Sequence, residues 1–284
     1  MCRILLILAL LAACAEKQTI VVGSKNFTES VLLGEMIAQR LAGAGCTVDR
    51  KLDLGGTLVC DKAIVSGDLD VYPEYSGTAL TAILNRPINA DRNAVMRDVR
   101  SEYAKRGLSW GPALGFENTF AIIVRRADAG QHGLQRISDL AKVAATFRPG
   151  FGYEFVERPD GWTGLQNHYG LRIDTPPKTM DLGLTYRALA ANSIDVIAGN
   201  STDGLIEALG LVVLEDDRRF FPPYDTVIVS RNDLAKKCAA APAALQSLAE
   251  AFDEQAMRRL NHAIDAGKRS PADVAREALA SLGK

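Results

Sequence analysis

Aromatic side chains at the ends of predicted strands and at loop junctions carry the clearest chemical signal in this sequence. The face of an aromatic ring attracts cations, most strongly a poorly hydrated one such as a quaternary ammonium. A lysine or arginine in the same cleft would hold a carboxylate. Because most aromatic residues of a globular chain belong to its core, position rather than residue type favours Tyr75 and Tyr224. The aromatic residues at such junctions are Phe27, Tyr75, Phe120, Tyr153, Phe155, Trp162 and Tyr224.

Tyr75 stands at a junction of the kind where open α/β sheets bind ligands. A buried strand is predicted over Leu69–Tyr72, and Pro73 is expected to end its pairing because proline has no amide hydrogen. The next segment, Ser76-Gly77-Thr78, offers hydroxyl groups and free backbone amides where a helix begins. Ligands of open α/β sheets bind at the carboxyl ends of the strands. We therefore expect the rest of the chain to build a cleft around Tyr75.

Enzyme motifs are scarce. The sequence has no P-loop, no G-x-G-x-x-G and no H-E-x-x-H. The histidines His132, His168 and His262 fall in separate regions without the spacing of metal ligands. The pair Asp216-Asp217 reads as a solvated turn rather than as an acid–base dyad. We expect neither a catalytic activity nor a metal or cofactor.

Charge and length exclude some classes of protein and favour others. The 33 Lys and Arg residues nearly balance the 34 Asp and Glu residues, so no basic surface for nucleic acid is predicted. A chain of 284 residues can bury a sizeable core and is long enough for two lobes.

The N-terminus has the pattern of a targeting segment. Arg3 is a minimal charged region, and Ile4–Leu11 is an apolar stretch too short to span a bilayer permanently. The order Leu11-Ala12-Ala13-Cys14 resembles a bacterial lipobox, which implies cleavage before Cys14 and lipidation of its thiol. The alternative is an ordinary signal peptide in which Cys14 is incidental. Either interpretation predicts a periplasmic or otherwise extracytoplasmic protein, and the first predicts one anchored to the membrane by lipid.

Predicted strands alternate with predicted helices, which is typical of an α/β fold with mainly parallel sheets. The pattern restarts near Asn118 and returns near Pro222. Residues 18–117 and 218–284 are therefore expected to form one discontinuous lobe, and residues 118–217 the other, after a signal segment over 1–14. Two crossings make a hinge, and hinged lobes close around a ligand. The predicted strands are 19–24, 48–54, 69–72, 108–110, 119–124, 144–147, 194–198, 212–214 and 226–229.

Some local assignments depend on single residues. Asn26 is expected to cap the first helix, with Glu29 at the capping-box position. Lys25, just before it, reads in isolation as a solvated loop lysine. Another helix is predicted to begin at Ser201-Thr202-Asp203. Cys46 and Cys60 either pair in an oxidising compartment or serve as small buried side chains, and the absence of a C-x-x-C pair makes a zinc site improbable.

Several motifs together resemble the substrate-binding proteins of ABC importers for quaternary-ammonium osmoprotectants such as glycine betaine, choline and carnitine. The resemblance covers essentially the whole chain after the signal segment. The motifs that carry it are Ser24-Lys25-Asn26-Phe27-Thr28-Glu29, Leu54-Gly55-Gly56-Thr57, Tyr72-Pro73-Glu74-Tyr75-Ser76-Gly77-Thr78, Glu154-Phe155 with Arg158 and Asp160-Gly161, and Ser201-Thr202-Asp203-Gly204.

The resemblance implies a two-lobed periplasmic-binding-protein fold with the ligand between the lobes. Relatives surround the trimethylammonium group with a cage of tyrosines, and Tyr75 and Tyr224 match two of these by motif position. Phe120 falls where a third tyrosine is usual, and Asn200 falls where a fourth is usual. Phe27 and Trp162 are the residues considered as replacements for that fourth wall. The positions that hold the ligand's carboxylate are matched by Lys25, Thr78 and Arg158.

The function implied is capture of a betaine-type compound and its delivery to a permease, with the permease and the ATPase on separate chains. The loss of a tyrosine at Asn200 suggests a betaine that is bulkier or more polar than glycine betaine, while choline, which lacks a carboxylate, is disfavoured. Three alternatives stay open: a different solute such as an amino acid, a secreted enzyme on the same scaffold, and a regulatory effector-binding domain.

Overall fold

The computed structural model of the protein describes residues 18–282. The predicted signal segment and the lipidation of Cys14 lie outside these residues. Within this range ten strands form two five-stranded sheets. The first sheet has the order β2-β1-β3-β10-β4, with β1 (Ile20–Gly23), β2 (Val48–Lys51), β3 (Val71–Tyr75), β4 (Leu108–Glu117) and β10 (Asp225–Arg231). The second has the order β7-β6-β8-β5-β9, with β5 (Phe120–Arg125), β6 (Pro149–Phe151), β7 (Lys178–Thr179), β8 (Val196–Asn200) and β9 (Leu211–Leu214).

Both sheets are mixed. In the first, β1 runs parallel to β2 and β3, and β10 runs antiparallel to β3 and β4. In the second, β6 runs parallel to β7 and β8, and β5 runs antiparallel to β8 and β9. The α/β class was predicted, but the sheets are not mainly parallel. The antiparallel strands β5 and β10 each enter their sheet directly from a segment that crosses between the sheets, at residues 118–119 and 215–224.

The helices pack against both sheets. The first helix buries Leu33, Ile37 and Leu41, which recur at fourfold spacing and so share one face. No helix in residues 18–282 is long and apolar enough to cross a membrane. The helices are α1 (Thr28–Gly43), α2 (Thr57–Ser66), α3 (Ser76–Thr78), α4 (Arg92–Lys105), α5 (Arg126–His132), α6 (Tyr153–Glu157), α7 (Trp162–Tyr169), α8 (Leu182–Ala190), α9 (Leu205–Ala208), α10 (Leu234–Lys237), α11 (Ala241–Gln246), α12 (Glu254–Asp265) and α13 (Pro271–Leu282), with a π-helix at Ala79–Ile83 and a 3₁₀-helix at Ile137–Lys142.

Two local predictions near the cleft were wrong. Pro73 does not end its strand, since β3 continues to Tyr75 and pairs Pro73 with Ile228 of β10. On its other side β3 pairs with β1 only at Val71. The backbone hydrogen bonds to β1 therefore do not need the amide hydrogen that Pro73 lacks. Asn26 does not cap α1 either: Phe27 occupies the N-cap position without a side-chain hydrogen bond, and the Glu29 side chain is buried.

Two further elements of the second half were misplaced. Residues 144–147 form no strand, since 144–146 belong to a turn, and the strand lies at Pro149–Phe151 instead. Arg148 explains the shift, because its side chain binds Asp195 immediately before β8 and thereby sets the register of the following residues. The segment at 201–203 is likewise not the start of a helix, which begins at Leu205.

The disulfide pairs Cys46 with Cys238, with 5.7 Å between their α-carbons. The suggested pairing of Cys46 with Cys60 is therefore wrong. Cys60 is a buried free thiol near the carbonyl of Ser24, and burial raises its pKa to about 12. The observed bond joins residues 192 apart and ties together the two chain segments that build the first sheet.

Candidate functional site

A cavity of about 630 Å³ is lined by residues of both sheets. All seven residues that the sequence predicted to bind a ligand line it: Lys25, Tyr75, Thr78, Phe120, Arg158, Asn200 and Tyr224. Five of the seven are buried, whereas Phe120 and Asn200 are half-buried. The structure thus brings together residues that lie up to 199 positions apart in the sequence.

Strand ends position the aromatic walls of the cavity. Tyr75 is the last residue of β3, and Tyr224 directly precedes β10. Phe120 begins β5 and is paired in register with Asn200 at the end of β8. Because residues opposite each other in an antiparallel pair project to the same face, these two side chains stand next to each other. A third ring, that of Phe155, lies 4.9 Å from Phe120 between centroids.

The Tyr224 ring is fixed on two sides. Its hydroxyl donates a hydrogen bond to Asp160, and its ring meets Phe120 edge to face at 5.8 Å. A β-carbon on Gly77 would lie 2.7 Å from two carbons of the Tyr224 ring, so only glycine fits behind it. The glycine in the Ser76-Gly77-Thr78 motif therefore makes room for an aromatic wall.

Tyr75 forms a second wall together with Phe27. The two ring centroids are 6.0 Å apart, and the Tyr75 hydroxyl donates a hydrogen bond of 2.9 Å to Glu29. Of the two residues considered as a replacement wall, Phe27 lines the cavity. Trp162 does not line it and packs on Phe151 in the core of the second sheet, with 4.7 Å between centroids.

Lys25 is buried, with 3% of its surface exposed, so the interpretation as a solvated loop lysine was wrong. Its Nζ forms a salt bridge with Glu74, which also accepts hydrogen bonds from the Tyr75 amide and the Tyr72 hydroxyl. The same Nζ lies 5.0 Å from the centroid of the Tyr75 ring. The positive charge of Lys25 is therefore compensated by a buried carboxylate beside the aromatic wall.

Arg158 is held in a similar way. Its Nε and Nη2 donate to Asp160 at 2.9 and 2.6 Å, and its Nη1 donates to the Thr78 hydroxyl at 3.1 Å. Its guanidinium carbon is 4.8 Å from the centroid of Phe120. Burial opposes both charges, but the hydrogen bonds and attraction between the partners outweigh it, raising the pKa of Arg158 and lowering that of Asp160. Both groups are therefore ionised at neutral pH.

Glu29 was not predicted as a site residue, yet it organises the region behind Tyr75. It accepts hydrogen bonds from Tyr75, Asn118, Thr202 and Asn261, at 2.9, 2.8, 2.5 and 3.1 Å. Within the described residues no lysine or arginine forms a salt bridge with it. Burial raises the pKa of Glu29 to about 7. These donors come from both halves of the chain, so one carboxyl group ties the crossing segment to both sheets.

Glu154 accepts hydrogen bonds from Thr57 across the cavity. Its carboxylate accepts the Thr57 amide at 2.6 Å and the Thr57 hydroxyl at 3.1 Å, at the N-terminus of α2. The partial positive charge of a helix N-terminus favours a carboxylate there. In the sequence, Leu54-Gly55-Gly56-Thr57 is only one of the motifs that carry the family resemblance, and no partner was predicted for Thr57. The signal was present in the motif Glu154-Phe155, but nothing in the sequence paired it with Thr57.

Residues 18–282 contain no cluster of three or more metal-ligating side chains. The sequence analysis overlooked one nucleophile motif, Gly107-Leu108-Ser109-Trp110-Gly111. Its Ser109 lies exposed inside strand β4, paired with Ser230, rather than at the strand-to-helix turn that this motif needs.

Comparison with known proteins decides the family. The sequence profile described as the substrate binding domain of the ABC-type glycine betaine transport system matches residues 18–281. The chain belongs to this family. The chain is thus a substrate-binding domain of an ABC-type transport system, and the relatives named for carnitine and for glycine betaine are transport binding proteins.

Individual relatives of this substrate-binding domain carry different ligand names. It is 32% identical over 270 residues to the ergothioneine transport permease/ergothioneine binding protein of Helicobacter pylori. The match covers 94% of this chain but only 48% of that protein. It is 30% identical over 269 residues to the carnitine transport binding protein of Listeria monocytogenes, covering 93% and 87% of the two chains. It is 32% identical over 278 residues to a glycine-betaine-binding protein of Pseudomonas aeruginosa, covering 94% and 89%.

A solved structure confirms the architecture of the substrate-binding domain. The crystal structure of a glycine betaine/carnitine/choline ABC transporter matches with a TM-score of 0.75 and 30% identity, covering 92% of this chain and 98% of that one. The predicted two-lobed α/β fold of a periplasmic binding protein is therefore confirmed.

Proposed function

We propose that this substrate-binding domain captures a quaternary-ammonium compound of the betaine class in the cavity and delivers it to a permease. The lobes are proposed to be residues 18–117 with 218–284, and residues 118–217. The aromatic walls at Tyr75, Phe120 and Tyr224 receive the ammonium group. The hydroxyl of Thr78, with Lys25 and Arg158, receives the carboxylate.

The observation that carries this proposal is that the two buried cations of the cavity wall are already neutralised. Each cation next to an aromatic wall already has its own buried carboxylate, Glu74 for Lys25 and Asp160 for Arg158. A ligand that brought a net charge into this site would leave that charge uncompensated, which is costly in a buried place. A zwitterion brings no net charge while offering one group to the rings and one to the donors. Choline carries a net positive charge and is disfavoured on this ground.

Closure is proposed to follow from ligand contacts on both lobes. Tyr75 and Thr78 are contributed by the first sheet and its helix, whereas Phe120 and Arg158 belong to the second half of the chain. A ligand that contacts both sets stabilises the closed state over the open one. The hydrogen bonds between Glu154 and Thr57 add to the same state.

The proposed ligand is a betaine larger or more polar than glycine betaine. Asn200 replaces the expected aromatic wall with an amide, and a cavity of about 630 Å³ is large for a molecule with eight non-hydrogen atoms. Two relatives are named for betaines with additional polar groups, carnitine and ergothioneine. Substituting Asn200 by tyrosine is expected to shift preference toward small betaines, and unchanged preference would contradict this role.

The partner chains and the cellular location of the protein are part of the same proposal. The permease and the ATPase are separate chains, and the mature protein is extracytoplasmic and anchored to the membrane through lipid on Cys14. The disulfide between Cys46 and Cys238 supports an oxidising compartment, because such bonds are rare in the cytosol.

Titration calorimetry tests the proposed function. The protein beginning at Ala15, without lipid, is titrated with glycine betaine, proline betaine, carnitine, choline, a histidine-derived betaine and unmodified amino acids. We expect at least one betaine to bind, and Tyr75→Leu to weaken that binding at least tenfold while the far-ultraviolet circular dichroism stays unchanged. Binding of an amino acid alone would mean a different solute, and turnover of any compound would mean an enzyme.

A further inference from the structure

The amide of Asn200 is locked by one neighbouring side chain. Its Nδ2 donates to Asp203 Oδ1 at 3.3 Å, and its backbone amide donates to Asp203 Oδ2 at 2.9 Å. Asp203 is itself fixed, because the Tyr186 hydroxyl donates to Oδ2 at 2.6 Å and its own amide donates to the carbonyl of Asn200 at 3.0 Å. The carboxylate of Asp203 thus holds Asn200 at two points, and the backbone amide of Asp203 holds it at a third.

This arrangement determines which atom of the Asn200 side-chain amide stays free to interact with a ligand. A side-chain amide has one accepting end and one donating end, and a carboxylate can only accept. The nitrogen of Asn200 must therefore face Asp203, so the oxygen is the atom left to interact elsewhere. No residue within 18–282 donates a hydrogen bond to Asn200 Oδ1. Asn200 lines the cavity, and its neighbour Phe120 lies opposite it in the register of β5 and β8.

We infer that Asp203 sets the hydrogen-bonding polarity of the cavity at Asn200, so that the site selects betaines carrying an N–H or O–H donor close to the Phe120 wall. The inference rests on the proposed function and sharpens it. Asp203 acts as a positioning residue, because it orients Asn200 and does not line the cavity itself. A tyrosine at position 200 would offer no such fixed acceptor.

The carboxylate form of Asp203 is needed for this effect. Burial raises the pKa of Asp203 to about 6, and its hydrogen bonds from Tyr186 and Asn200 work in the opposite direction. At pH 8 the group is a carboxylate, so titrations at that pH examine the state in which the Asn200 amide has a single orientation.

Matched ligand pairs that differ only in the donor test the inference at pH 8. The first pair is carnitine and γ-butyrobetaine, which lacks the hydroxyl group. The second is histidine betaine and its ring-N-methylated derivative, which lacks the N–H. We expect the donor-bearing member of at least one pair to bind about tenfold more tightly, because an acceptor that the bound ligand covers without donating to it costs affinity.

Two variants separate orientation from general destabilisation. Asp203→Asn allows either end of the Asn200 amide to face the cavity, and we expect the preference for the donor to fall below about threefold while the donor-free ligand keeps its affinity. Tyr186→Phe removes another hydrogen bond from the same carboxylate without freeing Asn200, so it should lower stability and leave the preference intact.

The failures are distinguishable. Equal binding within both pairs by the wild-type protein overturns the inference while the proposed function stands. A preference that survives in Asp203→Asn overturns it as well. Absence of binding by all four betaines overturns the inference, and it overturns the proposed function as well if glycine betaine and proline betaine also fail to bind.

Discussion

Two kinds of buried carboxylate flank the cavity, and they differ in what surrounds them. Glu74 and Asp160 each face a buried cation, Lys25 and Arg158 respectively. Glu29, at the crossing between the sheets, is satisfied by neutral donors alone. The first kind lies at the proposed carboxylate-binding side, while Glu29 lies behind the Tyr75 wall.

The difference separates permanent charge from charge that depends on pH. The pKa of Asp160 is held below its usual value by Arg158 against the effect of burial, whereas burial alone dominates at Glu29 and raises its pKa to about 7. Arg158, which is proposed to hold the ligand's carboxylate, and its partner Asp160 therefore keep their charge over the physiological range. Glu29, at the crossing between the sheets, gains or loses a proton within the physiological pH range.

Removing the cation of the paired kind has the largest expected effect. Arg158→Met leaves Asp160 buried without its partner, and we expect the free energy of unfolding to fall by about 3–5 kcal/mol in urea titrations. The double variant Arg158→Met/Asp160→Asn should recover part of the loss. Arg276→Ala, which breaks an exposed ion pair with Asp273, is the control and should change nothing measurable. A loss at Arg158→Met below about 1 kcal/mol would contradict the pairing.

Glu29→Gln tests the unpaired kind through pH. The folded-state pKa of Glu29 is raised from 4.5 to about 7, so the folded protein holds the proton more tightly than the unfolded chain. The stabilisation this gives is complete below pH 4.5 and is lost as pH rises through 7. At 1.36 kcal/mol per pKa unit the loss is at most about 3 kcal/mol.

The measurement is the difference in unfolding free energy between wild type and Glu29→Gln, taken from pH 4.5 to pH 8. Wild type should lose stability relative to the variant across that range. A difference that does not vary with pH would show that burial does not raise the pKa of Glu29 above its value in the unfolded chain.

Glu154 sharpens the comparison, because its side chain is 45% exposed and it faces a helix N-terminus rather than a buried cation. Glu154→Ala removes the two hydrogen bonds that the carboxylate accepts from Thr57. We expect a loss of ligand affinity of about three- to tenfold, corresponding to about 1 kcal/mol, with little change in stability. Calorimetry with the best betaine checks this, and Glu157→Ala on the same helix serves as the matched control. Equal affinities for wild type and Glu154→Ala would show that these hydrogen bonds do not stabilise the closed state.

Removing the hydroxyl group of Tyr75 or of Tyr224 is expected to have the smallest effect on stability. Tyr75→Phe removes a donor that favours the ionised form of Glu29, so the pH midpoint of the Glu29-dependent change should move upward. Tyr224→Phe removes a donor from Asp160 and should leave that midpoint where it is. The same pH series of unfolding experiments measures both, and a shift in Tyr224→Phe instead of Tyr75→Phe would reverse the assignment.

The sequence predicted which residues line the cavity because they stand at strand ends within recognisable motifs. Tyr75 ends β3, and Phe120 and Asn200 meet at the ends of β5 and β8. Motif position also pointed to Lys25, although a lysine in a loop has no burial signal of its own. The α/β class followed from alternating strand and helix patterns, which depend only on local spacing.

The partners of these residues were beyond the reach of sequence reasoning. Glu29 occupies a position suited to a helix cap, and only the packing of α1 against the crossing segment turns it inward. The partner of Cys46 lies 192 residues away, farther than any local pattern reaches. The pairing of Glu154 with Thr57 depends on how two sheets meet, which no periodicity encodes.

The central claim is that the aromatic cavity selects a quaternary ammonium, and one matched pair tests it most directly. The dissociation constant of γ-butyrobetaine is compared with that of the tertiary amine obtained by removing one N-methyl group. We expect the quaternary compound to bind about tenfold more tightly, because the protonated tertiary amine must give up a hydrated N–H to enter the rings. Equal affinities, or tighter binding of the tertiary amine, would contradict the account.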